Sequence, residues 1–523
     1  MLTACSSYSD DCWERLACPS DPEPPPDPCE GDPAMAPALD MCGVFVSPSS
    51  GDDRSPGTKD APVKTLQHAI GLAARGRSDV EKPTRRVYAC RGTFEEAIAL
   101  PPGVDLWGSR GCDDGGDWSY ESSLVGPSAS TVIAPPTGIP LRILRVQDTT
   151  LAGNNATSVI AGVRIVAADA SAPDGKSSIA MILGTGARAI VQDSAVVAGN
   201  GKDGEPGGDA DTERAEDGVL GNDGADACTA DSPTGALPVV TVCDDGTESI
   251  GGYGGDGGLD VGGDGAPGQP APADNSERDG RGGVGADATR CEEGSKGADG
   301  AHASRADGAV GVGHLGKDGW IGVRGEDGKR GGPGQGGGGG GGSKSRGPMF
   351  ACRAGGPQGG PAGGSGGSGG CGGRGGYGGG YGGASIGIVA LDGTELTVAA
   401  SDVITGHGGR GGVGGNGQPG GVGQWGGNGG AGFGPEMWGA CNGGTGGNGG
   451  RGGDAGGGLG GAAVGIAYVA PNYAIRPGTS FTVGDAGDGG PAGNAGVGDE
   501  VGRGRQGPRG EVHAFSVGNE PPR

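Results

Sequence analysis

Aromatic residues make up only 4% of this chain of 523 residues, and hydrophobic residues only 33%. So few apolar side chains cannot fill the cores of three or four ordinary globular domains. We therefore expect one elongated core with large surface excursions. No stretch approaches the roughly 20 apolar residues that a membrane-spanning helix needs, so contact with a membrane is expected only through a lipid anchor.

Histidines and common ligand motifs are also scarce. The five histidines are dispersed without HExxH or HxxxH spacing, and there is no CxxC, so a zinc site is not expected. No G-x-G-x-x-G string follows a hydrophobic strand and opens a helix, so phosphate binding is not indicated. Residues 251–256 and 282–287 partly match the calcium nonapeptide G-G-x-G-x-D-x-U-x but lack its aliphatic eighth residue. No cofactor is predicted, and structural calcium stays open.

The charge of the chain is strongly negative, with a formal net charge of -25 and a pI near 4.5. Nucleic acids and anionic membrane surfaces are polyanions that recruit lysine and arginine, so neither is expected as a partner. The acidity is compatible with divalent cations or with simple solubility.

One stretch occurs three times and organises the chain. Residues 178–201, 385–408 and 463–486 align without a gap, and each runs into a glycine-rich tract. Each copy is typical of a strand, a turn and a second strand; in the middle copy the turn is Asp392-Gly393. A short unit with one apolar edge cannot bury that edge alone, so stacked copies are expected.

Glycine, with 131 residues, is the most distinctive component. Every third residue is glycine from Gly408 to Gly432, from Gly313 to Gly334 and from Gly360 to Gly378. A polyproline II helix has three residues per turn, so this spacing places the glycines on one edge, where backbones can approach closely. Where two of every three residues are glycine, two edges are bare, which favours a packed bundle of such helices.

Three structures compete for these tracts. A collagen triple helix needs more proline, and the interleaved strand modules would break a rod. Disorder is favoured by the entropy that glycine loses on ordering. A bundle is favoured by the cysteines and large aromatic residues within the tracts, the latter costly to expose: Cys371, Cys441, Trp320, Trp425, Phe433 and Trp438. The tracts also resemble the Gly-Gly-x domain of the PE-PGRS family, although nothing here resembles the helical N-terminal domain of that family.

Order is expected to begin near Gly43. The stretch 44–70 contains V-F-V-S-P-S-S-G-D-D, then S-P-G-T, then A-P-V-K-T-L-Q-H-A-I. It resembles the N-terminal entry motif of the right-handed parallel β-helix family, in which a helix closes the end of the solenoid. Here that helix is predicted from about Thr65 to Ala74, with Thr65 as N-cap. The resemblance implies an all-β fold, a right-handed parallel β-helix with glycine-rich, polyproline-II-like insertions. A β-sandwich is the structural alternative.

The thirteen cysteines are an odd number, and the first suggests why. Leu2-Thr3-Ala4-Cys5 resembles a bacterial lipobox, in which the cysteine is lipidated and becomes the mature N-terminus. Only four residues precede Cys5, so the charged and apolar regions of its signal would lie upstream of this start. The other twelve cysteines suit disulfides in an oxidising compartment, which predicts an extracellular or outer-membrane location.

Several disulfides can be predicted. The β-helix resemblance places Cys90 and Cys112 in neighbouring coils, as a pair. Cys228 and Cys243 bracket the apolar run 237–242 and are expected to staple a hairpin. The proline-rich N-terminal tether is expected to be stapled locally by its own four cysteines: Cys12, Cys18, Cys29 and Cys42.

The resemblance to parallel β-helix proteins, which often are polysaccharide lyases or hydrolases, implies that carboxylates are the candidate catalytic residues. A hydrolase of this kind needs paired carboxylates on neighbouring rungs. The candidates are Asp52, Asp53, Asp113, Asp114, Asp117 and Asp193. All but Asp193 lie in turns, where aspartate commonly stabilises the turn itself, and Asp193 has no identifiable partner. No catalytic residue and no metal ligand is predicted.

These observations predict a lipid-anchored surface protein without catalysis, with a structural, adhesive or surface-display role. The alternative is a β-helix that binds or cleaves polysaccharide, and a cell-surface polysaccharide or another surface is the expected partner. The predicted divisions are a tether (1–42), a β-helix with its cap (43–200), a glycine-rich acidic insertion (201–384), β-helix coils (385–405 and 463–483), glycine-rich tracts (406–462 and 484–510) and a closing strand with tail (511–523).

Overall fold

The computed structural model describes residues 28–75, 85–112, 116–121, 131–144, 156–171, 177–345, 352–470 and 472–517. Helix α1 spans Leu66–Arg75, and a short 3-10 helix spans Asp40–Cys42. The strands are β1 (Val44–Val46), β2 (Arg86–Cys90), β3 (Gly92–Phe94), β4 (Ile98–Leu100), β5 (Asp105–Gly111), β6 (Ser119–Tyr120), β7 (Thr131–Ile133), β8 (Leu141–Ile143), β9 (Ser158–Ala161), β10 (Val163–Val166), β11 (Ser178–Leu183), β12 (Arg188–Gln192), β13 (Ala195–Val197), β14 (Val240–Val242), β15 (Glu248–Ile250), β16 (His314–Gly316), β17 (Gly319–Ile321), β18 (Ser385–Ala390), β19 (Glu395–Ala399), β20 (Asp402–Ile404), β21 (Ala463–Tyr468), β22 (Tyr473–Ile475), β23 (Ser480–Thr482), β24 (Arg509–Ala514) and β25 (Ser516–Val517).

Three parallel sheets form the predicted right-handed parallel β-helix, which confirms the fold class. Sheet A has the order β1-β2-β5-β9-β12-β19-β22, with β6 pairing antiparallel to β5. Sheet B has the order β3-β7-β10-β13-β20-β23, and sheet C has the order β4-β8-β11-β18-β21-β24. Each turn of the chain adds one strand to each sheet, so successive coils stack.

The three repeated modules are adjacent layers of this solenoid. Ser178 pairs with Ser385, and Ser385 pairs in turn with Ala463, all in parallel register. The residues that align in the sequence are therefore the residues that pair in the sheet. Because the repeat has one period per coil, a gapless alignment gives the register directly.

The core runs along the axis of the solenoid and is built from inward-facing aliphatic side chains such as Leu106, Val191 and Ile466. In sheet A, strand β12 alternates buried and partly exposed residues, as expected for a sheet with one wet face. In sheet C, all six residues of β11 and all six of β18 are buried. Sheet C is therefore covered on both faces, and its outer cover includes Trp320.

Helix α1 closes the N-terminal end of the core, with Leu66 and Ile70 fully buried. Each such burial contributes about 1.5–3 kcal/mol. Thr65 stands at the predicted N-cap position, since its carbonyl accepts the N–H of Ala69 at 3.1 Å. Its hydroxyl, however, donates to Asp53, and the N–H groups of Leu66 and Gln67 are satisfied by the carboxylate of Glu96 at 2.6 and 3.1 Å. The cap comes from a distant loop, which local sequence does not show.

The three long glycine-rich excursions leave the solenoid at one corner. Residues 198–384, 405–462 and 483–508 each connect a strand of sheet B to the next strand of sheet C. Since their starting points lie in successive coils, these excursions emerge side by side. We number their main extended segments I (201–227), II (294–309), III (323–343), IV (360–383), V (407–431), VI (440–461) and VII (484–493).

These segments hydrogen-bond to one another with a repeat of three residues. Segment I donates to segment V, segment V donates to segment IV, and segment IV donates back to segment I. The first steps are Gly201 N to His407 O (2.8 Å), Gly409 N to Gly383 O (2.9 Å) and Gly383 N to Lys202 O (2.7 Å), and each recurs three residues further on. Three residues per repeat is the periodicity of the polyproline II helix, which has no hydrogen bonds of its own and must find partners in its neighbours.

Segment III shows how glycine content follows the number of neighbours. Its seven consecutive glycines, 336–342, are all buried. Their N–H groups donate in several directions, for example Gly337 to Gly367, Gly339 to Ala266 and Gly341 to Glu292. A β-carbon on Gly339 would overlap the carbonyl oxygen of Tyr253. A segment surrounded on every side therefore needs glycine at every position.

Two expectations about the tracts are wrong in detail. The glycine period from Gly313 to Gly322 falls in an antiparallel hairpin, β16–β17, whose Trp320 packs on the outer face of sheet C. Trp425 is 72% exposed, although its size argued for burial. Glycine at every third position therefore does not by itself predict an extended segment, because the residues between the glycines can pair as a hairpin, as they do in β16–β17.

Disulfides occur both in the β-helix part and in the glycine-rich bundle. Cys29 pairs with Cys42, and Cys90 pairs with Cys112 with a Cα–Cα distance of 5.7 Å. The predicted staple between Cys228 and Cys243 is wrong, because the bundle carries each of them to a cysteine more than a hundred residues away. The bundle disulfides are Cys228–Cys352, Cys243–Cys371 and Cys291–Cys441. The hairpin that forms is a different one: β14 pairs with β15, which follows Cys243, so Cys243 lies in its turn.

The number of disulfides indicates an extracellular or secreted protein. No helix within the described ranges is long and apolar enough to cross a membrane. Cys5, Cys12 and Cys18 lie outside the described residues, so the predicted lipidation of Cys5 stays a prediction.

Candidate functional site

Asp52 and Asp53 serve the turn that leads into helix α1. The Asp53 carboxylate accepts the N–H groups of Lys64 and Thr65, both at 2.9 Å. Burial alone would raise its pKa, but these hydrogen bonds outweigh that effect and lower the pKa. Asp52 accepts the N–H of Arg54 at 3.0 Å. Both carboxylates have the structural role that turn chemistry predicts.

Asp117 has a similar local role. It accepts the N–H of Ser119 at 2.9 Å, and the hydrogen bonds from Ser119 lower the pKa of its carboxyl group. Asp113 and Asp114 lie outside the described residues. None of these turn residues is paired with a second carboxylate in the part of the chain that the structure describes.

Asp193 lies at the corner between sheets A and B. Equivalent corners of four coils turn through one residue in the left-handed region, with φ of 65°, 43°, 43° and 82° at Gly162, Asp193, Ala400 and Gly478. A residue with a β-carbon is disfavoured there by about 1–2 kcal/mol, so its side chain is held in an unusual direction. The Asp193 carboxylate is thereby aimed at Tyr120, whose hydroxyl donates a hydrogen bond to it.

The environment of Asp193 changes its ionisation. Burial raises the pKa of its carboxyl group, and the nearby negative charge of Asp32 raises it further. A carboxyl group with a raised pKa, a tyrosine and a second carboxylate is the combination that a glycoside hydrolase uses as its acid and its base. The sequence showed Asp193 without a partner because Tyr120 and Asp32 come from distant parts of the chain.

A buried arginine and aromatic cluster covers the outer face of sheet A beside Asp193. The Arg86 guanidinium lies 3.4 Å from the centroid of the Trp107 ring and 3.5 Å from Asp105. Its Nη1 donates to the carbonyl of Cys29 at 2.7 Å. Burial raises the pKa of Asp105, although the N–H of Val159 and the charge of Arg86 oppose this.

Arg110 extends this cluster and is 1% exposed. Its Nη2 donates to the carbonyl of Pro33 at 2.7 Å, and burial lowers the pKa of its guanidinium to about 10. Both arginines therefore hold carbonyl groups of residues 28–42, and this segment covers the face from solvent. The cluster acts as a clamp for the N-terminal segment. Sequence reasoning missed it, because the carbonyl groups that Arg86 and Arg110 bind lie 57 and 77 residues earlier in the chain and no local pattern connects them.

The acidic residues of segment I have a structural function of their own. Five aspartates accept backbone N–H groups of segment V, each at 2.7 Å: Asp203 from Arg410, Asp209 from Asn416, Asp217 from Val422, Asp223 from Asn428 and Asp226 from Ala431. We call this row the aspartate ladder. Within the described ranges these five N–H groups of segment V make no backbone hydrogen bond, and the carboxylates supply the acceptors. Part of the negative charge of the chain therefore serves its own backbone.

The aspartate of the first partial calcium motif, residues 251–256, is used in the same way. Asp256 accepts the N–H of Gly235 at 2.7 Å. Among the described residues, no group of three or more His, Cys, Asp or Glu side chains is arranged to hold a metal ion. Structural calcium stays a prediction that the arrangement of these residues does not favour.

Comparison with known proteins identifies one similarity. A family described as Protein of unknown function (DUF1565) matches residues 49–216, which include most of the entry motif, the coils before the first glycine-rich excursion and the beginning of segment I. That family is associated with parallel β-helix proteins, in agreement with the sheets described above. Searches among curated proteins and among solved structures found no match.

Proposed function

We propose that this chain is an extracellular, non-catalytic surface protein that adheres to a polysaccharide or another surface. The β-helix is its scaffold, the glycine-rich bundle presents the adhesive surface, and a lipid on Cys5 anchors it to the outer membrane. A PE-PGRS-like, polyglycine-type bundle is the form we assign to the glycine-rich tracts.

One observation carries this proposal: the three excursions leave one corner of successive coils and join a single hydrogen-bonded bundle. Side chains along such an edge recur every three residues, about 9 Å apart in a polyproline II geometry. A rigid surface with a regular repeat suits a partner that also repeats, such as a polysaccharide. The roles found for Asp52, Asp53 and the aspartate ladder support the absence of catalysis, because these carboxylates are engaged in hydrogen bonds to the backbone.

The second candidate is a β-helix that cleaves polysaccharide, favoured by the grouping of Asp193, Tyr120 and Asp32. Residues 28–42 shield much of the adjoining face of sheet A, which is why we place this candidate second.

A single experiment compares both candidates. The purified full chain is incubated with insoluble polysaccharides and with bacterial cells, and both retained protein and released sugar fragments are measured. Adhesion predicts saturable retention without fragments. Release of fragments that stops in Asp193→Asn would establish the second candidate instead, and no retention on any surface would reject adhesion.

A further inference from the structure

An open groove lies on the bundle between segments V and VI. Near the solenoid this groove is filled by segment VII, which donates to segment VI from Gly487 to Gly461 and from Gly490 to Gly458. Farther out, segment VII has ended, and the groove has a cavity volume of about 890 Å³. That volume lies within the usual range of small-molecule sites, about 300–1,000 Å³.

Side chains of segment VI replace the missing segment at alternate glycines of segment V. The N–H groups of these glycines donate to side-chain oxygens: Gly417 to Asp454 (3.0 Å), Gly423 to Asn448 (3.1 Å) and Gly429 to Asn442 (2.9 Å). The glycines between these steps are not served by segment VI, and beside Gly420 the residue of segment VI that falls between Asn448 and Asp454 is Arg451. Arginine cannot accept a hydrogen bond, and within the described chain the Gly420 N–H, like that of Gly426, makes no hydrogen bond.

Two further hydrogen-bond donors line the groove together with the Gly420 N–H. The Arg451 guanidinium is held in place by Asp454, at 2.6 and 3.0 Å. His302 accepts the N–H of Arg451 on Nδ1 at 2.8 Å, so the neutral ring carries its proton on Nε2, the other nitrogen, as a donor. Both side chains line the groove with Gly420.

The opposite wall comes from a bulge in segment I. Ala210 donates to Asn416, and Ala215 donates to Pro419, so five residues of segment I advance against three of segment V. The bulge brings Thr212, Glu213 and Arg214 to the groove. The lining therefore carries the guanidinium groups of Arg214 and Arg451 and the carboxylate of Glu213, while the carboxylate of Asp454 lies against Arg451. The charges of these four groups cancel, in contrast to the net charge of -25 of the whole chain.

We infer that this groove binds a carboxylate of an acidic saccharide, with Arg451, Arg214 and the Gly420 N–H as its donors. Guanidinium groups bind carboxylates through charge-assisted hydrogen bonds. A carboxylate oxygen would also accept the Gly420 N–H, which makes no hydrogen bond within the described chain. The groove extends beyond this carboxylate position, and the amide of Asn448 in its lining can hydrogen-bond to hydroxyl groups of the neighbouring sugar rings. This inference rests on the proposed adhesion to polysaccharide and names the chemical class of that partner.

The test is a calorimetric titration of the full chain with a trimer of galacturonic acid, a neutral galactose trimer and inorganic sulfate. We expect binding of the acidic trimer and none of the neutral one. Loss of one charge-assisted hydrogen bond weakens binding about tenfold or more, so Arg214→Gln and Arg451→Gln should each show at least this change. Arg410→Gln is the matched control, because Arg410 is exposed on segment V and does not line the groove.

Protection of bundle amides from hydrogen exchange shows whether each variant folds. If Arg451→Gln does not fold, Arg451→Lys, which retains the positive charge, is tested in its place. Equal binding by the wild type and both groove variants would overturn the inference, and so would binding of the neutral trimer. Sulfate binding as tightly as the acidic trimer would overturn the assignment to a saccharide. Cell adhesion that survives in both variants would reject this site alone, whereas trimer binding without cell adhesion would reject the proposed function alone.

Discussion

The β-helix and the glycine-rich bundle achieve burial in opposite ways. In the β-helix, the interior is filled by Val, Ile and Leu side chains, and backbones meet only along the sheets. In the bundle, backbones lie against backbones on several sides, and the interior has almost no side chains, as in residues 336–342. The core of the β-helix depends on packed side chains, whereas the interior of the bundle depends on residues that have none. A composition too poor in apolar residues for ordinary domains is therefore enough for this molecule.

The largest expected difference between the two regions lies in their covalent crosslinks. Cys243–Cys371 closes a separation of 128 residues, so chain entropy gives it about 5 kcal/mol, against about 3 kcal/mol for Cys29–Cys42 with a separation of 13. We expect the double variant Cys243→Ser, Cys371→Ser to lose hydrogen-exchange protection in residues 236–250 and 360–383. Residues 178–197 of the solenoid serve as the internal control. Equal loss of protection in both regions would show that they unfold as one unit.

A methyl group tests the bundle directly. Gly339→Ala places a β-carbon against the carbonyl of Tyr253 in a site with backbone on every side, so we expect a loss of about 3 kcal/mol in the free energy of unfolding. Gly496→Ala is the matched control, since nothing lies within 4 Å of its β-carbon and a change below about 0.5 kcal/mol is expected. Chemical denaturation followed by circular dichroism measures both.

The solenoid should respond to the opposite change. Leu106→Ala removes atoms from a fully buried site, and the resulting cavity should cost about 2–5 kcal/mol. If Gly339→Ala were harmless while Leu106→Ala had this effect, the bundle could not be tightly packed, and the contrast between the two cores would fail.

Acid should change the stability of the bundle and of the solenoid around β5 and β12 in opposite directions. This is the smallest of the four expected effects. In the bundle, burial alone would raise the pKa of Asp299, but the N–H of Asn448 and the Lys296 side chain outweigh burial and lower it. The pKa of Asp454 is lowered in the same way, because Arg451 and the N–H of Gly417 outweigh its burial. Their contribution is complete above the unfolded pKa of about 3.9 and is lost as pH falls through the lower folded values. In the solenoid, the pKa values of Asp53 and Asp117 are lowered as in the bundle, but burial raises the pKa of Asp105 and Asp193. The folded state around β5 and β12 therefore binds protons first and gains stability as pH falls toward about 3.9.

Hydrogen exchange at a series of pH values from 6 to 3 measures this contrast. Bundle amides should lose protection below about pH 4, while amides of β5 and β12 should keep or gain protection between pH 6 and 4. Substituting Asp299→Asn, which cannot titrate, should remove part of the bundle response. The same acid response in both regions would contradict the assignment of these shifts.

The solenoid was predictable because its information is local and repeated. Alternating apolar residues define each strand, and the gapless alignment of Ser178 with Ser385 gives their pairing. Period-three glycine also indicates which edges of the extended segments can be approached. It does not say which segment lies on which edge, and so the partners of Cys228 and Cys243 could not be read from the sequence. For the same reason the ladder, the groove and the Asp193 grouping emerged only from the fold, since each joins residues far apart in the chain.

The common exit corner of the three excursions makes the molecule extensible. Duplicating one stretch of sequence, a coil together with its excursion, would lengthen the scaffold by one layer of about 4.8 Å and would deliver new extended chains beside those already present. Both parts of the protein would grow in step, with no other change to the sequence. The threefold repeat is the pattern that such stepwise duplication would leave.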